Sequence, residues 1–210
     1  MAQFFSLHAE QPQPRLIRQA AEIMRGGGLV AFPTDSAYAL GGHTGDAELI
    51  QRIRRIRQVD ERHHFTLMCR DLSQIATYAR VDNSQYRLLK ATTPGPYTFI
   101  LEGTKELPRR VLHPKRKTIG LRVPDHPVVA ALLEALGEPI LTSTLLLPGD
   151  DLPLTDPEEI RERLEKQLDL IIEAGYCGPE ATTVIDLTTG APTLVRAGRG
   201  DLAPFGLVAG

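Results

Sequence analysis

Three hydroxyls and a carboxylate follow directly on an apolar run in Pro33-Thr34-Asp35-Ser36-Ala37-Tyr38-Ala39-Leu40-Gly41-Gly42. The preceding Leu29–Phe32 has the length and apolarity of a buried strand, and ligands gather where the strands of an open α/β sheet end. The trailing glycines are expected to let backbone N–H groups approach a ligand closely. Taken alone, the segment also reads as a proline-containing turn capped by Ser and Thr. Similar groups recur along the chain: Arg55-Ile56-Arg57 at the end of an amphipathic stretch, Thr92-Thr93-Pro94-Gly95-Pro96-Tyr97-Thr98 ahead of an apolar run, Thr118 and Arg122 on one face of another, and Thr142-Ser143-Thr144 closing a third.

Together these positions describe a cavity lined by hydroxyls and arginines. Guanidinium forks match phosphates and carboxylates bidentately, so the expected ligand is anionic, with the phosphates of a nucleotide and room for a carboxylate. Covalent catalysis is not indicated. No Ser-His-Asp constellation or carboxylate pair with glycosidase spacing is present, nor a Walker A or GxGxxG pattern. No metal-ligand set is assigned: His63-His64 are adjacent, so their rings point apart, and they are expected at the surface or facing RNA. Cys69 and Cys177, far apart in sequence, fit two buried thiols rather than a disulfide framework or a CxxC site.

The elements that must position these groups alternate between two periodicities. Helical spacing is predicted over Pro14–Arg25, from an N-cap at Asp46 to Arg57, and over Leu72–Ala79, Asn83–Lys90, Pro127–Leu136 and Pro157–Lys166. Asp156-Pro157-Glu158-Glu159 has the form of a capping box with proline at the first helical position. Short apolar or β-branched runs at Thr66–Cys69, Tyr97–Leu101, Thr118–Val123, Ile140–Ser143, Leu168–Ile172, Thr183–Leu187 and Thr193–Arg196 read as strands. This predicts an α/β fold of the mixed α+β kind, partly antiparallel because only the Thr188–Pro192 turn joins the last two strands. No repeat or long linker interrupts it, and residues 1–210 are expected to form a single domain.

With 42% hydrophobic and 24% charged residues, the chain has an ordinary globular composition, which excludes disorder. It carries neither a membrane-length apolar run nor a basic n-region before a hydrophobic one, so no membrane partner is expected and the location reads as cytoplasmic. The net charge of -2 argues against a surface built wholly for nucleic acid, but its distribution is uneven. Gln51–Arg70 holds six arginines against Asp60 and Glu61, and Lys105–Arg122 holds seven Lys or Arg against Glu106. Asp150–Glu173 reverses the sign, with nine acids and three bases. The basic windows suit phosphate contacts to structured RNA, either tRNA or duplex, or else are solvated faces. Five Tyr, six Phe and no Trp leave shape-based recognition of a helix rather than stacking on single strands.

The ordered segments Phe32-Pro33-Thr34-Asp35-Ser36 with Tyr38-Ala39-Leu40-Gly41, Arg55-x-Arg57, Thr93-Pro94-Gly95-Pro96-Tyr97-Thr98, Thr118-Ile119-Gly120-Leu121-Arg122-Val123-Pro124, Leu141-Thr142-Ser143, Thr182-Thr183-Val184-Ile185-Asp186 and Arg196-x-Gly198 resemble the YrdC/YciO family over nearly the full length. The YciO branch is the most similar. The resemblance implies a YrdC-like twisted mixed sheet with flanking helices around a large basic cavity, ending with this domain. It also implies an activity: L-threonine and bicarbonate form a carbamate that attacks the α-phosphate of ATP, giving threonylcarbamoyl-AMP and pyrophosphate for the threonylcarbamoyladenosine of tRNA. ATP is then a substrate and Mg2+ its expected companion.

By position, the resemblance implies that Thr34, Arg122 and Ser143 hold threonine, with Arg122 on its carboxylate, and that Thr182 adds a hydroxyl. It implies that Arg55, Arg57, Thr118 and Arg196 hold the nucleotide, with Thr155 near it. Three departures fall at the ligand site. The family's Lys-x-Arg is Arg55-x-Arg57 here, its Ser-x-Asn is Ser143-Thr144-Leu145, and a threonine-contacting histidine of several members falls at Met68. A protein that binds structured RNA in the basic cavity without significant synthase activity is the alternative reading.

Overall fold

Local signals set the ends of most helices. The computed structural model describes all residues, Met1–Gly210. Helix α1 (Pro14–Arg25) and α5 (Pro127–Leu136) begin on prolines, which lack the N–H that a first turn leaves unpaired. In α2 (Ala47–Arg57) the Asp46 carboxylate accepts from the Glu48 N–H at 2.9 Å. Helix α3 spans Leu72–Tyr78. The capping box lies at α4 (Asn83–Thr92), where Asp82 and Gln85 exchange side-chain-to-backbone bonds. At α6 (Pro157–Leu164), where the sequence suggested a box, Asp156 caps through the Glu158 N–H alone.

Ten strands form one mixed sheet: β1 (Gln3–Ser6), β2 (Val30–Phe32), β3 (Ala39–His43), β4 (Thr66–Met68), β5 (Tyr97–Glu102), β6 (Thr118–Arg122), β7 (Ile140–Thr144), β8 (Leu170–Glu173), β9 (Thr183–Asp186) and β10 (Thr193–Arg196). Their order is β1-β8-β2-β3-β7-β4-β6-β5-β9-β10. The pairs β1/β8, β2/β8, β4/β6 and β5/β9 are parallel and the others antiparallel, including β9/β10.

Two strands were not expected. Strand β1 is a half-buried edge whose Gln-Phe-Phe-Ser run does not alternate. Strand β3 holds Gly41 and Gly42, which had been expected to expose backbone N–H groups to a ligand. Both are buried; Gly41 pairs with β2 and β7, and Gly42 with β7. Their role is packing: a Cβ on Gly41 would lie 2.9 Å from Ile140 Cγ2, and one on Gly42 2.8 Å from the Gly28 carbonyl.

Alternation along the strands sorts side chains between two faces. Leu67, Phe99, Leu101, Ile119, Leu121, Leu141 and Ile185 face α2, α3 and α4 in the larger buried cluster. On the opposite face, Val30, Phe32, Ala39, Met68 and Ile140 meet α1 and α5 in the smaller one. Those two helices pack against each other. The same face continues over β6, β5 and β9 as Gly120, Arg122, Thr98, Ile100 and Val184, which line a cavity instead. No helix is long and apolar enough to cross a membrane.

Candidate functional site

The cavity measures about 790 Å³, within the range of small-molecule sites. Its floor is the sheet. Thr66 pairs with Gly120 on one side and Thr142 on the other, so polar groups and a glycine stand side by side. A Cβ on Gly120 would lie 2.8 Å from Thr98 Cγ2 and 2.9 Å from Thr66 Oγ1, so the glycine keeps the floor open. Strand β4 starts only at Thr66, whereas β7 runs on to Thr144 alongside β3. Ser143 therefore stands beyond the β4 pairing, where α2 reaches it.

Arg57, in the last turn of α2, donates from Nη1 to Ser143 Oγ at 2.7 Å and from Nε to the Leu146 carbonyl at 3.1 Å. His63 Nε2 lies 2.9 Å from the same Ser143 oxygen and 3.4 Å from Arg57 Nη1. Burial first, then the Arg57 guanidinium, depresses His63 to about 4, so its imidazole is neutral at physiological pH. Burial and the neighbouring Arg196 also lower Arg57, the direction expected where two cations share a cleft.

Across the cavity, Arg196 of β10 donates from Nε and Nη2 to the Thr182 carbonyl at 3.1 and 2.9 Å, and from Nη2 to Thr182 Oγ1 at 3.0 Å. Thr182 Oγ1 is also 2.7 Å from Thr98 Oγ1. The chain then turns at Gly198, where a Cβ would fall 2.4 Å from the Ala181 carbonyl; this accounts for the glycine of Arg196-x-Gly198. Arg122 is almost fully buried and pairs through Nη2 with Asp35, whose other oxygen accepts from the Asp125 N–H at 2.8 Å. Arg122 Nε is left buried without a partner.

Five of the nine expected residues thus line one space: Arg57, Arg122, Ser143, Thr182 and Arg196. Two others stand one hydrogen bond behind it. Thr34 Oγ1 donates to the Ala37 carbonyl at 2.6 Å and sits 3.1 Å from Ser36 Oγ, which lines the cavity. Thr118 Oγ1 meets His64 Nε2 at 2.9 Å, and His64 forms the wall.

Arg55 and Thr155 lie outside the lining. Arg55 stands two residues, about 200°, around the helix from Arg57. It is exposed and paired with Glu48 at 2.7 Å.

The histidines correct the sequence reading. His63 and His64 are half-buried wall residues of the cavity rather than surface ones. Their signal was the run of two imidazoles just before a strand leading to the cavity. Met68 also belongs to the wall. Leu145 does not: it is fully buried in the larger apolar cluster, its N–H on the Tyr38 carbonyl and its own carbonyl accepting from Leu154. Both cysteines are buried free thiols, pushed up in pKa by desolvation, and neither lines the cavity.

The donor set does not make a metal centre by itself, since no three His, Cys, Asp or Glu converge. The cavity's carboxylates are Asp151 and Glu180. A hard cation such as Mg2+ is commonly carried by substrate phosphates with few protein ligands.

Comparison with known proteins matches most of the chain. The sequence model for the Sua5, YciO and YrdC proteins, described as "Telomere recombination", matches residues 22–198. The Escherichia coli K12 protein named "Uncharacterized protein YciO" is 60% identical over 205 residues, covering 98% of this chain and all of the relative. Its crystal structure superposes with a TM-score of 0.95. A threonylcarbamoyl-AMP synthase of Halorhodospira halophila is 32% identical over 174 residues, 82% of this chain and 90% of that protein. The crystal structure of Pyrococcus abyssi Sua5 complexed with L-threonine has a TM-score of 0.85 at 27% identity; the match covers 93% of this chain and 57% of that one.

Proposed function

The chain belongs to the Sua5/YciO/YrdC family, and on that premise we propose that it is an ATP-dependent L-threonylcarbamoyl-adenylate synthase-like enzyme serving the threonylcarbamoyladenosine modification of tRNA. The observation that carries this reading is the convergence of three arginines from separate elements, with Ser143 and Thr182, on one cavity over an open sheet face. In the proposed reaction the threonine amine captures bicarbonate carbon with loss of water. A carbamate oxygen then attacks the α-phosphorus as the bond to the β-phosphate breaks and pyrophosphate leaves. No protein nucleophile is needed; alignment, charge neutralisation and exclusion of water suffice.

Arg57 and Arg196 hold the nucleotide phosphates from opposite walls. Arg122, whose buried Nε lacks a partner within the fold, takes the amino-acid carboxylate, and Ser143 stands where the two ligands adjoin. Thr34 shapes this end through Ser36, and Thr118 orients His64. Pyrophosphate release tests the reading: it should require ATP, bicarbonate and an amino acid together, with threonine preferred. Purified protein that binds ATP and releases none above a heat-killed control, with any amino acid, overturns it.

The loop between β5 and β6 supports a second role. Lys105, Arg109, Arg110 and Lys115 are all exposed there without carboxylate partners, a basic patch suited to tRNA or duplex phosphates. The other basic window is largely committed within the fold, since Arg52, Arg55 and Arg70 pair with Asp169, Glu48 and Asp71. If the loop contacts RNA, neutralising Arg109 and Arg110 flattens the salt dependence of tRNA affinity. Affinity indifferent to both leaves a solvated face.

A further inference from the structure

Two cavity hydroxyls, Ser143 Oγ and Thr182 Oγ1, each carry two wall groups, and at Ser143 the chemistry of those groups fixes its polarity. The Arg57 guanidinium can only donate, so at 2.7 Å it occupies one Ser143 lone pair. His63 Nε2 sits 2.9 Å from Ser143 Oγ and 3.4 Å from Arg57 Nη1. A proton on Nε2 would face the Arg57 N–H donors, whereas a lone pair there receives both them and the serine hydroxyl. The proton of the neutral ring therefore belongs on Nδ1. The ring itself is set edge-on against buried Phe65, with centroids 5.4 Å apart and planes at 83°. Ser143 then gives its hydrogen to His63, accepts from Arg57 and keeps one lone pair uncommitted.

We propose that His63 is a positioning residue for the amino-acid substrate: it turns the Ser143 hydroxyl into an acceptor, so that Ser143 selects a donor group on the ligand, the amine or the side-chain hydroxyl, and not a phosphate oxygen. This rests on the synthase reading above and sharpens it. It places the boundary between the subsites at Ser143, with nucleotide oxygens on the Arg57 side and the amino-acid donor on the other. Neither Leu145 nor Met68 can supply that acceptor, since one is in the core and the other carries only a thioether.

Two measurements test it. Long-range 1H–15N correlation on histidine-labelled, ligand-free protein should show His63 as the Nδ1–H tautomer. Titrations with L-threonine, with butanoate, which lacks both donors, and with a non-hydrolysable ATP analogue should then separate the subsites. His63→Leu should raise the Kd for threonine about tenfold or more while leaving the nucleotide Kd within about twofold, and should shrink the preference for threonine over butanoate. His63→Gln, whose amide oxygen can take the serine hydrogen, should recover most of the loss; with the tautomer it also carries the test if His63→Leu does not fold. The Nε2–H tautomer, or equal losses for nucleotide and amino acid in a protein that binds both, overturns the proposal alone. Wild-type protein that binds nucleotide but no amino acid overturns the synthase reading and takes the proposal with it.

Discussion

At the scale of single residues, the two arginines of Arg55-x-Arg57 are distinguished by their place on the helix. Arg57→Ala removes a cavity-lining charge and the donor on Ser143, and should weaken ATP-analogue binding about tenfold or more. Arg55→Ala breaks an exposed pair with Glu48, a change of about 0–1 kcal/mol in stability, and should leave binding within about twofold. Isothermal titration of both variants checks this, and equal losses would place Arg55 in the site. Leu145 gives the opposite lesson. Restoring the family's asparagine there would appear to rebuild the site, but the side chain is fully buried among apolar neighbours. Leu145→Asn should destabilise the protein by about 2–5 kcal/mol, lowering Tm by roughly 5–15 °C with no gain in pyrophosphate release. A stable, more active variant would show that position 145 reaches the cavity. The motif was legible at both positions; which way each side chain points was not, because it depends on how α2 and the end of β7 pack.

Among the elements, the strands carried the clearest sequence signal where they are buried on both faces and the weakest at the half-buried edge β1 and the glycine-rich β3. Eight of the ten strands were read from apolar and β-branched runs. Strand β3 was missed because Ala39-Leu40-Gly41-Gly42 looks like a loop, and glycine is disfavoured in strands until neighbours demand the space. The cavity floor depends on the same property at Gly120. A valine there would press on Thr98 and Thr66 and push apart β4, β5 and β6. Gly120→Val should cost about 1–3 kcal/mol in urea unfolding and weaken ligand binding. Unchanged stability with unchanged affinity would mean that the floor is more compliant than the packing indicates. The hydroxyls and arginines were likewise legible as residue types, while the ion pair of Arg122 with Asp35 and the wall position of His63 arise only from contacts between distant segments.

For the molecule as a whole, alternation of helices and strands foretold a mixed sheet, but the ten-strand order and the division of one face between helices and cavity are long-range outcomes. The buried histidines tie this architecture to pH. Unfolded imidazole takes a proton near pH 6.5, whereas folded His63 does so only near 4, and His64 is shifted in the same direction by burial and by His113. The unfolded state therefore binds more protons in that window, and stability falls as pH drops from about 6.5 to 4, with a ceiling of about 3 kcal/mol from His63. Asp71 and Asp186, held below 3.8, act only at lower pH. Urea midpoints at pH 7 and pH 5 should differ for wild type and less so for His63→Leu; identical differences would place the titration elsewhere. The central claim, that the cavity joins threonine, bicarbonate and ATP, is tested most directly by mass spectrometry of the product formed from 13C-bicarbonate, L-threonine and ATP. The account predicts an AMP adduct bearing threonine and one 13C carbamoyl carbon, formed by wild type and lost with Arg57→Ala. Pyrophosphate appearing with AMP adducts that lack the label, or no labelled adduct from protein that binds all three substrates, would contradict it.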